Sequence, residues 1–323
     1  MPQAAVDGTS LYYERRGAGE PLLLIQGMSG THLAWGEAFL AGLGDGLEVV
    51  TYDHRGVGTS TPQDQPFTIA QLADDAAGLL DALGWGRAHV VGISMGGMVA
   101  QELALRFPER VRGLVLGATT PGGPQAAWPT LRELGALGVG AAGAARLPGR
   151  AWLAGWLFSP EFRREQPERA AELVRVFRRH RARPQGIASH LLATAYHDTV
   201  SRLDRIQAPT LVVHGAKDRM APLSNARLLA RAIPDAELAI VEGAGHAYPL
   251  EQPERSRDLL VDWIGRRSPI APGRPRHRLV ASTEPLTRPF GLQIGALRTG
   301  LSLAARAAGR VPGPVPPRDT PSG

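Results

Sequence analysis

The chain contains no cysteine among its 323 residues, which excludes a disulfide framework, a thiolate zinc site and a cysteine nucleophile. Met1 to Ser10 has no basic stretch followed by an apolar one, so no secretory signal is expected and a cytoplasmic protein is the reading. No uninterrupted apolar run approaches the length of a membrane-spanning helix. A surplus of charge is missing too, despite the formal +6. From Arg266 onward, ten arginines face only Glu284 and Asp319, a local balance of +8 that leaves −2 for residues 1–265. The body of the chain is therefore nearly neutral, and nothing in it calls for nucleic acid.

What is present is an alternation of short apolar runs with helical patterns. Val6 to Arg15 alternates around Asp7-Gly8 and predicts an antiparallel hairpin. Pro21 to Gly27 is a continuous apolar run, as expected for a buried parallel strand, and a helix is expected around Trp35 to Leu43. Glu48 to Asp53 predicts a further strand. Thr68 with Gln71 forms a capping box ahead of a helix that runs to Gly84. Strands are expected at 88–93, 111–118, 209–215 and 236–241, with helices after Ser94, at 223–233 and at 253–264. This order implies an α/β protein with a mainly parallel sheet covered by helices on both faces. Residues 1–120 and 202–265 read as its core, and 121–201 as a mostly helical cap inserted between two core strands. Residues 266–323 read as a Pro- and Arg-rich tail, largely disordered. Phe290, Ile294, Leu297, Leu301, Ala304 and Ala308 share one helical face there, which leaves a membrane or partner contact open; Gly291, Gly295 and Gly300 weaken it.

The chemistry centres on Gly92-Ile93-Ser94-Met95-Gly96. A β-branched apolar run leads straight into Ser94 and helix formers follow, the strand–turn–helix context that gives G-x-S-x-G its meaning. A serine nucleophile needs a base, and the base an orienting carboxylate. Asp218, in the loop after the strand ending at Gly215, supplies the acid, and His246, after the last strand, the base. All three then stand at the carboxyl ends of strands, where open α/β sheets bind ligands. The backbone amides of Met95 and Met28 are the expected oxyanion donors. After the strand ending at Ala118, the other place for an acid, Thr119 and Thr120 stand instead. His214 reads as a core residue and Asp53 as structural, pairing with loop backbone or with Arg55. His32 and His54 lie on loops where either could touch substrate. In the cap, Trp128, Trp152, Trp156, Leu157 and Phe158 either line a substrate pocket or pack the cap helices together.

Gly92 to Gly97, Asp53-His54-Arg55-Gly56-Val57-Gly58-Thr59-Ser60, Gly215 to Asp218 and Gly245-His246 together resemble the α/β-hydrolase family over about residues 4–265. Within it the chain is most similar to small bacterial esterases and lactonases of the aclacinomycin methylesterase and enol-lactonase type, although Gln26 stands where the loop more often carries histidine. The resemblance implies an acyl-enzyme on Ser94, hydrolysed by water activated by His246; the cap aromatics add the expectation of a small or medium, mainly apolar ester or lactone as substrate. Serine at position 94 argues against haloalkane dehalogenases and epoxide hydrolases, which carry aspartate there. The same triad serves cofactor-free perhydrolases (haloperoxidases), carbon–carbon bond hydrolases and acyltransferases, and a ligand-binding relative without catalysis is a further alternative. No metal or cofactor is expected, because neither a phosphate loop nor metal-ligand spacing is present. The oligomeric state is not legible.

Overall fold

The computed structural model describes residues 2–43, 45–63, 65–129, 149–179 and 184–267. Seven strands form one sheet: β1 (Gln3–Val6), β2 (Thr9–Ile25), β3 (Asp45–Tyr52), β4 (Ala88–Ile93), β5 (Val111–Gly117), β6 (Thr210–Gly215) and β7 (Ala236–Val241). They lie in the order β1-β2-β4-β5-β6-β7, with β3 paired to β2. From β2 to β7 the neighbours on this path run parallel.

The sequence predicts a hairpin and then a separate strand within residues 6–27, whereas β2 is one 17-residue element. Its pairing with β3 reverses direction midway. Tyr13 to Gly17 meet Tyr52 to Glu48 in descending order, and Ala18 to Leu24 meet Asp45 to Thr51 in ascending order. The chain thus wraps around β3 at Gly17 and Gly19, both at positive φ. A Cβ on Gly19 would stand 2.2 Å from the Gly46 carbonyl oxygen, so only glycine fits.

Alternation along the strands sends side chains to two separate cores, because successive residues face opposite sides of a sheet. Leu23, Ile25, Val90, Leu114, Leu116 and Val212 join a core with helices α2 (Ile69–Ala82) and α3 (Met95–Arg106). Leu22, Leu24, Val91, Ile93, Val115, Leu211 and Val213 join the opposite core, closed by Trp35, Phe39 and the fully buried Trp263. Burying each such side chain stabilises the fold by about 1.5–3 kcal/mol. The capping box of α2 is present, with the Gln71 N–H donating to Thr68 Oγ1 at 3.1 Å and the Thr68 N–H to Gln71 Oε1 at 2.9 Å.

The helix predicted over Trp35 to Leu43 is replaced by a 3₁₀ turn, His32–Trp35, and a one-turn helix, α1 (Glu37–Leu40). Gly36, at φ 74°, breaks the two apart. Between β5 and β6 stand α4 (Gly149–Leu157), α5 (Pro160–Glu165), α6 (Pro167–Arg179) and α7 (Pro184–Tyr196). They carry a core of their own in which Leu157, Phe158, Phe162, Ala170 and Val174 pack with Ala247 and Leu250. After β6 come α8 (Leu223–Ala232), α9 (Tyr248–Glu251) and α10 (Pro253–Arg267). Helix α10 runs two residues past the boundary that composition suggests, and Arg267 there pairs with Asp235 at 2.9 Å and Glu237 at 2.7 Å. The remaining tail, with its amphipathic face, lies outside the described residues, as do 130–148 of the insertion. No described helix is long and apolar enough to cross a membrane.

Candidate active site

Ser94 stands between β4 and α3 at φ 57° and ψ −123°, a conformation that L residues rarely adopt. The sequence enforces it through its glycines. A Cβ on Gly92 would lie 2.2 Å from the Gly96 carbonyl oxygen, and one on Gly96 would lie 2.1 Å from that of Ile25. The turn is tied down by its own backbone: the Ser94 N–H donates to Gly117 at 2.8 Å, and the Ser94 carbonyl accepts from the Gly97 N–H at 2.9 Å and from Thr119 Oγ1 at 2.6 Å. Thr119, at the other place for an acid in this topology, instead holds the serine's carbonyl. Met95 is the first residue of α3, where a backbone N–H has no acceptor within the helix and the dipole favours negative charge.

Gly27 lies directly against Ser94: a Cβ there would be 3.0 Å from the Ser94 Cβ and 3.5 Å from Oγ. The loop after β2 therefore reaches the serine. It turns between Gly27 and Gly30, whose N–H donates to the Gly27 carbonyl at 3.1 Å, with Ser29 at φ 57°. Met28 is the first central residue of this turn, and its side chain packs against the core under α2 and α3. Gln26 Oε1 accepts its neighbour's N–H, from Gly27, at 2.8 Å, and the Gln26 carbonyl accepts from His54 Nε2 at 2.9 Å.

Asp218 and His246 come together from the loops after β6 and β7. These loops touch, since a Cβ on Gly215 would meet the Gly245 carbonyl oxygen at 2.1 Å, and the Lys217 N–H donates to Ala244 at 2.8 Å. His246 Nδ1 donates to Asp218 Oδ2 at 2.8 Å. Oδ1 of the same carboxylate accepts the N–H groups of Met220 at 2.8 Å and Ala221 at 2.9 Å. Burial alone would push the Asp218 carboxyl up; His246, His214 and the Ala221 N–H outweigh it and hold the group below its ordinary value. His214 is buried in β6, donates from Nε2 to the Ala221 carbonyl at 2.8 Å and lies 3.3 Å from Asp218.

Several other candidates are placed elsewhere. Asp53 accepts from the His32 N–H and Nδ1, both at 2.8 Å, and from the Thr59 N–H at 3.0 Å. It does not pair with Arg55, which is bound to Asp75. His32, a candidate substrate contact, has one ring nitrogen on Asp53 and the other 3.3 Å from Glu14, so carboxylates within the fold occupy both. His54 is buried, and burial lowers its pKa despite the bond to Gln26. Phe158 packs on Phe162 with ring centroids 5.2 Å apart inside the core of the insertion, Trp156 is buried and Trp128 is half-buried. The Trp152 side chain lies outside the described residues.

Two contacts around the site have no motif to announce them. Glu251, buried at the end of α9, accepts the Gly245 N–H at 2.8 Å, the Ser159 N–H at 3.0 Å and the Ser159 hydroxyl at 2.6 Å. His190, on α7, accepts the Ser29 N–H at 3.2 Å through Nδ1. Both tie the helical insertion to loops of the site.

A family model described as "alpha/beta hydrolase fold" matches residues 20–253. The chain is 33% identical over 242 residues to 3-oxoadipate enol-lactonase 2 of Acinetobacter baylyi, covering 73% of this chain and 86% of that one. It is 31% identical over 273 residues to the poly(3-hydroxyalkanoate) depolymerase of Ectopseudomonas oleovorans, covering 79% and 88%. Among solved structures, the enol-lactonase from Burkholderia xenovorans LB400 aligns with a TM-score of 0.70 at 29% identity, over 82% of this chain and all of the other. Together with the parallel sheet and the serine turn, these matches place the chain in the α/β-hydrolase family.

Proposed function

We propose that this hydrolase cleaves a carboxylic ester or lactone of a small to medium apolar substrate through an acyl-enzyme on Ser94. The observation that carries the reading is the Asp218–His246 hydrogen bond. An ionised carboxylate can only accept, so the ring proton sits on Nδ1 and leaves Nε2 as the basic nitrogen. His246 Nε2 takes the proton of Ser94 Oγ as the oxygen attacks the acyl carbon. Negative charge then develops on the carbonyl oxygen, to which the amides of Met95 and Met28 would donate. Each such donor is typically worth about 2.7–4 kcal/mol in acyl transfer. Collapse of the intermediate expels the alcohol, protonated by His246, and a water deprotonated by the same nitrogen releases the acid.

The names of the relatives, an enol-lactonase and a polyester depolymerase, support an ester or lactone bond. The test is hydrolysis of p-nitrophenyl esters by the wild type and by Ser94→Ala. A loss of about a thousandfold or more in kcat is expected, and unchanged turnover would overturn the serine mechanism.

A further inference from the structure

We infer that His190 is a positioning residue, holding the loop that carries the Met28 amide in its working conformation from the helical insertion; this rests on the Ser94 reading above. A backbone N–H can only donate, so the 3.2 Å contact with Ser29 makes Nδ1 of His190 the acceptor. The ring is then neutral, with its proton on Nε2. His190 is fully buried, and burial followed by the neighbouring His54 lowers its pKa to about 3, so it remains an acceptor at neutral pH. The ring is also held by its neighbours. His54 meets it edge-on at 5.9 Å between centroids, and Phe67 at 5.2 Å.

The bond acts on a turn with two alternatives. A turn closed by the Gly30 N–H on the Gly27 carbonyl, with positive φ at its third residue, is of type II. That position favours glycine or asparagine, and here it is serine. The central peptide, between Met28 and Ser29, is the one that flips when a type II turn relaxes to type I, and its N–H is the group His190 takes. Holding this peptide restrains the adjoining one, which bears the Met28 amide. Since Gly27 already touches Ser94, a small rotation there moves an oxyanion donor against the nucleophile. Catalysis depends steeply on such placement. The insertion would thus assist the chemistry through this one contact.

The test compares His190→Phe, which keeps a ring but loses the acceptor, with His190→Asn, whose Oδ1 stands near the position of Nδ1. On p-nitrophenyl butyrate, His190→Phe is expected to lose about 10- to 100-fold in kcat with KM changed by less than about threefold. His190→Asn is expected to recover most of that loss. Wild-type turnover in His190→Phe, or equal losses in both variants, would overturn the inference. A wild type with no ester turnover would instead overturn the reading of Ser94. Should His190→Phe not fold, amide exchange decides: in the wild type the Ser29 N–H is expected to be protected, with protection lost in His190→Asn only to the extent that kcat falls. An unprotected Ser29 N–H in the wild type overturns the proposal.

Discussion

The hydroxyl of Ser159, in the helical insertion, donates to Oε2 of Glu251 at 2.6 Å. The other carboxylate oxygen takes the N–H of Ser159 and that of Gly245, the residue before His246. One buried carboxylate therefore fastens the insertion to the loop that carries the proposed base, and the Ala247 N–H adds a bond to Leu157 at 2.8 Å. Burial raises the Glu251 pKa, and its three donors only partly offset this.

Glu251→Leu should break this fastening, because it removes both carboxylate oxygens and leaves the N–H groups of Gly245 and Ser159 and the Ser159 hydroxyl without their acceptor. A stability loss of about 1–3 kcal/mol is expected from the unsatisfied buried groups. A fall in kcat should accompany it as the His246 loop loosens. Calorimetry with ester kinetics checks this; a melting temperature and kcat equal to wild type would show that the carboxylate holds nothing.

Asp218→Asn keeps the shape of the acid and reverses its hydrogen bonding. The Oδ1 side must still accept two backbone N–H groups, so the amide nitrogen faces His246 and forces Nδ1 to become the acceptor. The proton then sits on Nε2, and the base is lost. A fall in kcat of about 10⁴-fold is expected, with KM little changed. Raising the pH should not restore kcat, since the tautomer and not the ionisation is wrong; ester kinetics of the variant across pH 6 to 9 check this, and wild-type turnover would overturn it.

Acid should unfold this protein partly through its buried histidines. Burial, with lesser contributions from His54 and from Arg202 respectively, lowers His190 and His197 to about 3. Their unfolded pKa is about 6.5, so the unfolded chain binds protons that the folded one refuses. Their contribution is present above about pH 6.5 and is lost as pH falls toward 3, at up to about 1.4 kcal/mol per pH unit for each. Glu251 and Asp75, both raised chiefly by burial, work in the opposite sense, losing stability as pH rises through their folded values. The clean measurement is therefore a difference: His197→Asn should flatten the slope of unfolding free energy between pH 6 and pH 4 by about one proton. An unchanged slope would show that His197 is protonated freely in the folded state.

Much of the core could be read from the chain because the signals are local. The apolar run of β4 entering Gly92-Ile93-Ser94, the capping box at Thr68 and Gln71, and the loops ending β6 and β7 each combine a strand or helix pattern with turn chemistry over a few residues. Gly36 was the local signal against a single helix over 35–43, and its positive φ is what divides that segment. His32 was ambiguous for a different reason. Its position near the site is local, but the carboxylates that engage it come from elsewhere, Glu14 from β2 and Asp53 from the loop just past β3.

Sequence alone determined which residues could act, since a serine between close-packed glycines, an aspartate and a histidine after successive strands follow from side-chain chemistry and periodicity. Tertiary structure alone decided how they are held. The strand around β3, the Thr119 bond behind Ser94, the Glu251 fastening and the His190 contact join groups 25 to 161 residues apart. Such pairings leave no periodic trace, because each is set by where packed elements bring two polar groups within 3.2 Å, and burial then makes an unsatisfied group costly.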